Sequence, residues 1–219
     1  MRQFRGVSEK EIRQFFHIPP SDFSSNMERK KLGMAMGAAL YLPGSMPNFT
    51  YKLSNNNLKN LTSAIICLED AVSDSELLDA ELNVVNELKS MEQKVQNGSL
   101  DTHEIPLLFI RVRTVQHLDK IASLLGSTIR FITGIVLPKC TSSNATNFFL
   151  CLQNLNCQHS INLYALPILE TKEIIDEHQY PNITQSLLQR WLREEKALHI
   201  QITLWEKGWY YDIWAFEHY

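Results

Sequence analysis

The chain has 219 residues, of which 44% are hydrophobic and 21% charged, and its formal net charge is -3. This composition excludes a disordered tail, a collagen-like repeat and a small disulfide scaffold. The weak negative charge provides no field that favours nucleic acid or an anionic membrane, and no apolar run approaches the ~18 residues of a membrane span. A small molecule or a protein is therefore the expected partner.

The cysteines and the first residues predict a cytoplasmic location. The four cysteines have neither C-x-x-C spacing nor a histidine at zinc-finger distance, which favours reduced thiols in the protein core. The sequence starts Met1-Arg-Gln-Phe-Arg-Gly and continues into charged residues rather than into the apolar core of a signal peptide.

An N-terminal extension of helix and loop is predicted over residues 1–33. Ser8 and Glu11 have the spacing of a capping box, so a short helix should begin here and end before Pro19-Pro20. The polar and basic residues 21–33 predict a loop.

Six short apolar runs follow along the rest of the chain. They occupy residues 38–42, 64–68, 107–110, 134–137, 163–169 and 198–202. Apolarity that is continuous rather than alternating is typical of strands buried on both faces.

Amphipathic helices are predicted between these runs. The first extends from Ser73 to Val95 and opens with a Ser73-x-x-Glu76 capping box. The stripe of this first helix that is expected to face the core is Leu78, Leu82, Val85, Leu88 and Val95. In the second helix the stripe is Val115, Leu118, Ile121 and Leu125, and in the third it is Phe148, Phe149, Leu152 and Leu155. The alternation of strands and helices predicts a parallel sheet, either open or closed as a barrel.

Polar or turn residues follow nearly every apolar run. They are Pro43-Gly44, Glu69-Asp70, Arg111, Pro138-Lys139 and Glu170-Thr171. In parallel α/β folds the C-terminal ends of the strands form the face where ligands bind. Carboxylates suit Mg²⁺, an arginine suits bidentate capture of a carboxylate, and the two together can stabilise the enolate of retro-aldol chemistry. The same residue types are also typical of helix caps and solvated loops.

Five segments resemble motifs of the HpcH/HpaI aldolase and citrate lyase family. Leu40-Tyr41-Leu42-Pro43-Gly44-Ser45-Met46-Pro47 resembles LFVPG-x-x-P, and Ile65-Ile66-Cys67-Leu68-Glu69-Asp70-Ala71-Val72 resembles VILDLEDAV. Ile110-Arg111-Val112-Arg113 resembles VRVN, Gly134-Ile135-Val136-Leu137-Pro138-Lys139 resembles GVVLPK, and Ile168-Leu169-Glu170-Thr171 resembles IET. The five occur in the family's order and with its spacing.

The resemblance implies a TIM-type (β/α) barrel that cleaves or forms carbon–carbon bonds. The implied substrate is a small hydroxy acid or other carboxylate, or an acyl-CoA, and a homo-oligomer is compatible with the family. By position, Arg111 corresponds to the catalytic arginine that binds the substrate. Lys139, Pro43 and Gly44 are implied as further substrate contacts.

The resemblance also implies Mg²⁺ or Mn²⁺ as cofactor. Glu170 corresponds to the first metal-ligating carboxylate, and Glu206 is nearest to the position of the second. Glu69 and Asp70 match the family's acidic pair near the metal and are implied as catalytic.

Three positions depart from the family pattern. Cys67 stands where an aspartate usually precedes LEDAV, Arg113 replaces the asparagine of VRVN, and Met46 lies where an arginine is frequent. One interpretation is a divergent enzyme. The alternative is a catalytically inactive barrel that acts as a binding or interaction protein.

The length also predicts an incomplete barrel. A complete (β/α)₈ barrel needs about 250 residues, whereas this chain offers six strand candidates over residues 34–204 and then an aromatic-rich tail at 205–219. Truncation is the favoured interpretation of that tail. An aromatic cap over an exposed sheet edge is the alternative.

Overall fold

A computed structural model describes residues 2–25, 27, 29–54, 58, 60–141, 143–171 and 201–202. The chain divides into two compact units, Met1–Phe109 and Ile110–Tyr219. The expectations for the aromatic tail and for Glu206 lie outside the described residues.

The first unit contains helices α1 to α4 and strands β1, β2 and the first part of β3. Their bounds are α1 Glu9–Phe15, α2 Arg29–Ala35, β1 Ala39–Pro43, α3 Phe49–Ser54, β2 Ser63–Cys67, α4 Leu77–Gln96 and β3 Leu107–Arg111. β1 and β2 pair in parallel, with Ala39 opposite Ser63 and Pro43 opposite Cys67. The hydrogen-bonded order in this unit is β1-β2-β3.

The N-terminal extension is partly as predicted. Ser8 caps α1, because its hydroxyl accepts from the Glu11 backbone N–H while the Glu11 carboxylate accepts from the Ser8 backbone N–H at 3.0 Å. The loop predicted over residues 21–33 is wrong at its end, where α2 begins at Arg29. Leu32, Ala35 and Met36 are buried at helical spacing, and their burial stabilises a helix within a basic segment.

Helix α4 differs from its prediction in its start and in its buried face. Ser73 and Glu76 do form the predicted side-chain contact, at 2.5 Å, but the helix begins only at Leu77. Leu78 and Leu82, expected in the core, are 60% and 47% exposed. Val85 and Leu88 are buried as predicted, and Ala80, Glu81, Val84 and Met91 complete the buried face. Its small residues Ala80 and Val84 allow the helix to pack closely.

The strands of the first unit are buried to different extents. Every residue of β2 is buried, as the continuous apolar run predicted. β1 was expected to be buried on both faces, but only Leu42 is buried in it and Tyr41 is 38% exposed. The prediction for β1 is therefore wrong on one face.

The second unit continues the alternation of strands and helices. It contains the end of β3, then α5 Val115–Leu125, β4 Gly134–Leu137, α6 Ala145–His159, β5 Tyr164–Pro167 and β6 Gln201–Ile202. β4 pairs with β5, and β5 with β6, both in parallel. The hydrogen-bonded order is β3-β4-β5-β6.

The core of the second unit confirms the predicted stripes of α5 and α6. Both strands β4 and β5 are fully buried. The buried stripe residues are Leu118, Ile121, Leu125, Phe148, Phe149, Leu152 and Leu155, and Val115 is half-buried. None of the helices that the structure describes combines the length and apolarity that a bilayer crossing requires.

Candidate functional site

Arg111 and Glu170 form an ion pair in the second unit. Arg111 is the last residue of β3, and Glu170 lies three residues after the end of β5. Arg111 Nη2 donates to Glu170 Oε1 at 3.1 Å, and the two side chains are 10% and 30% exposed. A guanidinium and a carboxylate are thus held together at the C-terminal ends of two strands, where the sequence placed a ligand site.

The pairing of β4 and β5 brings Lys139 beside Glu170. Ile168 N donates to Leu137 O at 2.9 Å, and Cys140 N donates to Ile168 O at 3.1 Å, so the two chain segments stay in register beyond the strands. In this arrangement the Lys139 backbone N–H donates to Glu170 Oε1 at 3.0 Å. The structure therefore brings together Arg111, Lys139 and Glu170, three of the residues that the sequence singled out.

The loop after β4 holds Lys139 in an uncommon backbone conformation. Lys139 has φ 47°, in the left-handed region that non-glycine residues seldom adopt. Asn144 stabilises this turn, because its Nδ2 donates to Lys139 O at 3.1 Å and its Oδ1 accepts from Thr141 N at 2.9 Å. Sequence analysis missed Asn144. The available signal was its position directly before the apolar stripe of α6, where asparagine is common.

A second turn fixes the chain just after Arg111. The Thr114 hydroxyl caps α5 by accepting from His117 N at 3.1 Å, and His117 Nδ1 accepts from Arg113 N at 3.1 Å. This bond requires an unprotonated Nδ1, so the buried imidazole carries its proton on Nε2. His117 takes the place that Glu or Gln has in a capping box, which is why the box spacing did not reveal it.

The two oxygens of the Glu170 carboxylate differ in their contacts. In the part of the chain that the structure describes, both recorded hydrogen bonds to this carboxylate reach Oε1. Mg²⁺ is commonly held by one or two carboxylates and completes its shell with water and substrate oxygens. The described residues contain no cluster of three or more His, Cys, Asp or Glu side chains that could hold a metal. Among the described residues, Glu170 therefore does not belong to a closed metal cage.

Pro43 is the last residue of β1 in the first unit, and Gly44 follows it directly. Gly44 N donates to Cys67 O at 2.8 Å. A Cβ on Gly44 would lie 2.5 Å from Leu68 Cδ2 and 3.2 Å from both Cys67 O and Val84 Cγ2. This close approach to β2 and α4 requires glycine at the position, whatever the loop binds.

Glu69 and Asp70 form a turn after β2, also in the first unit. Asp70 N donates to Glu69 Oε2 at 3.0 Å, and Val72 N donates to Glu69 O at 3.1 Å. Glu69 is half-buried and Asp70 is exposed. Cys67, which stands at the family's aspartate position, is 2% exposed and packs in the core.

Comparisons with known proteins give one family match. A family model described as a C–C bond lyase of the TIM-barrel fold matches residues 30–203. No curated protein matches the sequence in a direct comparison.

Solved structures similar to part of this chain include a malate synthase from Haloferax volcanii. In its complex with magnesium and glyoxylate it is 11% identical, with a TM-score of 0.49, over 77% of this chain and 62% of that chain. The complex of the same synthase with pyruvate and acetyl-CoA is 11% identical, with a TM-score of 0.49, over 77% of this chain and 58% of that chain. The chain thus spans less than two thirds of the synthase.

A second similar structure is the citrate lyase beta subunit of M. tuberculosis with oxaloacetate and magnesium. It is 12% identical, with a TM-score of 0.41, over 78% of this chain and 79% of that chain.

Proposed function

Since the chain belongs to the family of C–C bond lyases of the TIM-barrel fold, we propose that it cleaves or forms a carbon–carbon bond in a small hydroxy-acid or acyl-CoA substrate, with the help of Mg²⁺ or Mn²⁺. The observation that carries this proposal is the Arg111–Glu170 pair, at 3.1 Å, at the C-terminal ends of β3 and β5.

Arg111 is suited to bind the carboxylate of the substrate. Its side chain is only 10% exposed, so an anion that reaches it is largely removed from water and interacts strongly. The planar guanidinium can bind a carboxylate bidentately, which fixes the orientation of the substrate as well as its position. In the proposed reaction Arg111 holds the carboxylate next to the bond that breaks.

Glu170 would hold the divalent cation. Its orientation is set by Arg111 and by the Lys139 N–H, both of which bind Oε1. The ion would supply Lewis acidity to an oxygen of the substrate. We propose Glu206 as a second ligand and Glu69 and Asp70 as the acidic pair near the ion, with roles in proton transfer.

The charges of the site favour an anionic substrate. Arg111 and Glu170 neutralise each other, so a bound divalent cation would make the site positive, and Lys139 adds a further cation in the loop after β4. A substrate with one or more carboxylates, or an acyl-CoA, compensates that charge. Pro43, Gly44 and Lys139 are the proposed further substrate contacts.

Turnover of a panel of compounds tests this function. The panel consists of glyoxylate, pyruvate, oxaloacetate and acetyl-CoA, singly and in pairs, which are the ligands of the similar structures. We expect turnover with Mg²⁺ or Mn²⁺ and none with EDTA. Arg111→Lys should lower kcat/KM by about 100-fold, since a lysine cannot bind a carboxylate bidentately.

The matched control is Arg130→Lys, an exposed arginine of the same unit, which should leave turnover unchanged. Binding of panel members without turnover, in wild type and with either metal, would contradict the lyase and favour the non-catalytic alternative.

A further inference from the structure

Two side chains of α4 hold the loop that follows β1. This loop, residues 43–50, comprises the last residue of β1, the connection 44–48 and the first two residues of α3. Asn83 Nδ2 donates to Gly44 O at 2.7 Å and to Met46 O at 3.0 Å. One amide group thus binds two carbonyls of the same loop.

Glu87 holds the other end of the loop. Its Oε1 accepts from Asn48 N at 3.0 Å, and its Oε2 accepts from Thr50 N at 3.2 Å and from Thr50 Oγ1 at 2.6 Å. Asn48 has φ 55°, a conformation that is unfavourable without such support. A carboxylate that accepts three hydrogen bonds from one loop is a strong constraint, because charge-assisted bonds are the stronger kind.

Asn83 and Glu87 are four residues apart and therefore lie on the same face of α4. The helix itself is fixed by the buried side chains of Val84 and Leu88. Residues 44–48 have no regular secondary structure, and within this stretch Met46 N donates to Pro43 O at 2.9 Å. The connection 44–48 is therefore held by Asn83 and Glu87 of α4, in addition to the bond from Gly44 N to Cys67 O.

We propose that Asn83 and Glu87 are positioning residues that hold the loop 43–50 in its ligand-binding conformation and thereby set the affinity for the substrate. This rests on the proposed function, which assigns Pro43 and Gly44 of this loop to the substrate. Neither residue need touch the ligand, because both act through the backbone of the loop.

The test compares Asn83→Ala and Glu87→Ala with Asn86→Ala. Asn86 is an exposed residue of the same helix and serves as the matched control. Thr50→Val removes only the hydroxyl that donates to Glu87, keeps the buried volume, and remains informative if an alanine variant folds poorly. Hydrogen exchange of peptides covering residues 43–54 reports on the loop without any ligand.

Titrations with oxaloacetate and with Mg²⁺ alone separate positioning from general destabilisation. For Asn83→Ala and Glu87→Ala we expect faster hydrogen exchange in the loop and about tenfold weaker oxaloacetate binding, and for Thr50→Val a smaller effect of the same kind. Mg²⁺ affinity should be unchanged in all of them, because Glu170 belongs to another loop. With turnover, KM should rise while kcat is retained.

The proposal would be overturned if the loop exchanged no faster in Asn83→Ala and Glu87→Ala than in Asn86→Ala. It would also be overturned if the loop exchanged faster while oxaloacetate affinity stayed unchanged, or if Mg²⁺ affinity fell as much as oxaloacetate affinity. A wild type that binds neither probe contradicts the proposed function, whereas the exchange measurement still decides whether α4 holds the loop.

Discussion

Arg111 Nη2 and Glu170 Oε1 lie 3.1 Å apart although 59 residues separate them along the chain. The contact joins the residue that the sequence assigns to the substrate carboxylate with the residue it assigns to the metal. A buried guanidinium without a partner is costly, so Glu170 stabilises Arg111 in the absence of substrate. Under the proposed function, a substrate carboxylate would then share or take over that role, and Glu170 would hold the metal.

A double-mutant cycle measures the strength of this pair. Arg111→Met and Glu170→Gln should each destabilise the protein, and the coupling free energy between them should be about 1–2 kcal/mol, since the pair is largely but not fully buried. Urea denaturation of the wild type, both single variants and the double variant gives the value. Additive effects would show that the two side chains do not interact energetically.

A substitution at Lys139 can distinguish the role of its backbone N–H from the role of its side chain. Lys139→Gly keeps the N–H that binds Glu170 and relieves a left-handed conformation, which should stabilise the fold by about 1 kcal/mol. Metal affinity should be retained and substrate affinity reduced, because only the ammonium is lost. Calorimetric titration of metal and of substrate distinguishes the two, and loss of metal binding would assign the side chain to the metal site instead.

Asn144→Ala should destabilise the turn that contains Lys139. It removes the bonds to Lys139 O and Thr141 N, and we expect a destabilisation of about 1–2 kcal/mol together with weaker metal binding. Asn147→Ala, within α6, is the control. Equal metal affinity for all three proteins would mean that Asn144 stabilises the loop without orienting Glu170.

Gly44 and Gly33 should respond to alanine in opposite directions. At Gly44 the added methyl would overlap Leu68 Cδ2 at 2.5 Å, so overpacking should cost about 1–3 kcal/mol. Gly33 lies within α2 and an added Cβ would have nothing within 4 Å, so alanine should stabilise the protein by about 0.5–1 kcal/mol. Both values come from urea denaturation, and a Gly44→Ala protein as stable as wild type would contradict the close packing of β1, β2 and α4.

The capping box of α1 predicts a pH effect. The pKa of Glu11 is lowered, first by its hydrogen bond from the Ser8 hydroxyl and then by the bond from the Ser8 backbone N–H. A carboxyl whose folded pKa is lowered contributes stability above its unfolded pKa, and this contribution is lost as the pH falls through the folded pKa. Ser8→Ala should therefore raise the pKa of Glu11 toward its ordinary value, as measured by NMR titration of the variant and of the wild type.

The parts of the fold that follow from local pattern were predictable from the sequence. Leu118, Ile121 and Leu125 in α5, and the four stripe residues of α6, are buried where their spacing places them. The α4 stripe was right at Val85 and Leu88 but wrong at Leu78 and Leu82, because two helix faces carry apolar residues and the buried face also includes Ala80 and Val84. The small side chains there permit close approach, a property that hydrophobic periodicity does not weigh.

The residues of the candidate site were predictable only in part, because packing and loop geometry also decide which side chains meet. Strand-end positions and motif order identified Arg111, Lys139 and Glu170, which the structure brings together. Asn83, Glu87 and Asn144 were missed because each binds the backbone of a loop, and such contacts depend on loop geometry that has no repeating pattern in sequence.

Metal titration of Glu170→Gln tests the central claim most directly. The substitution keeps the size of the side chain and removes its charge, and Glu104→Gln, an exposed glutamate of the first unit, is the control. We predict that wild type and Glu104→Gln bind Mg²⁺ or Mn²⁺ with the same affinity in isothermal titration and that Glu170→Gln binds at least about tenfold more weakly. Equal binding by all three proteins would contradict the metal site, and with it the proposed metal-dependent lyase.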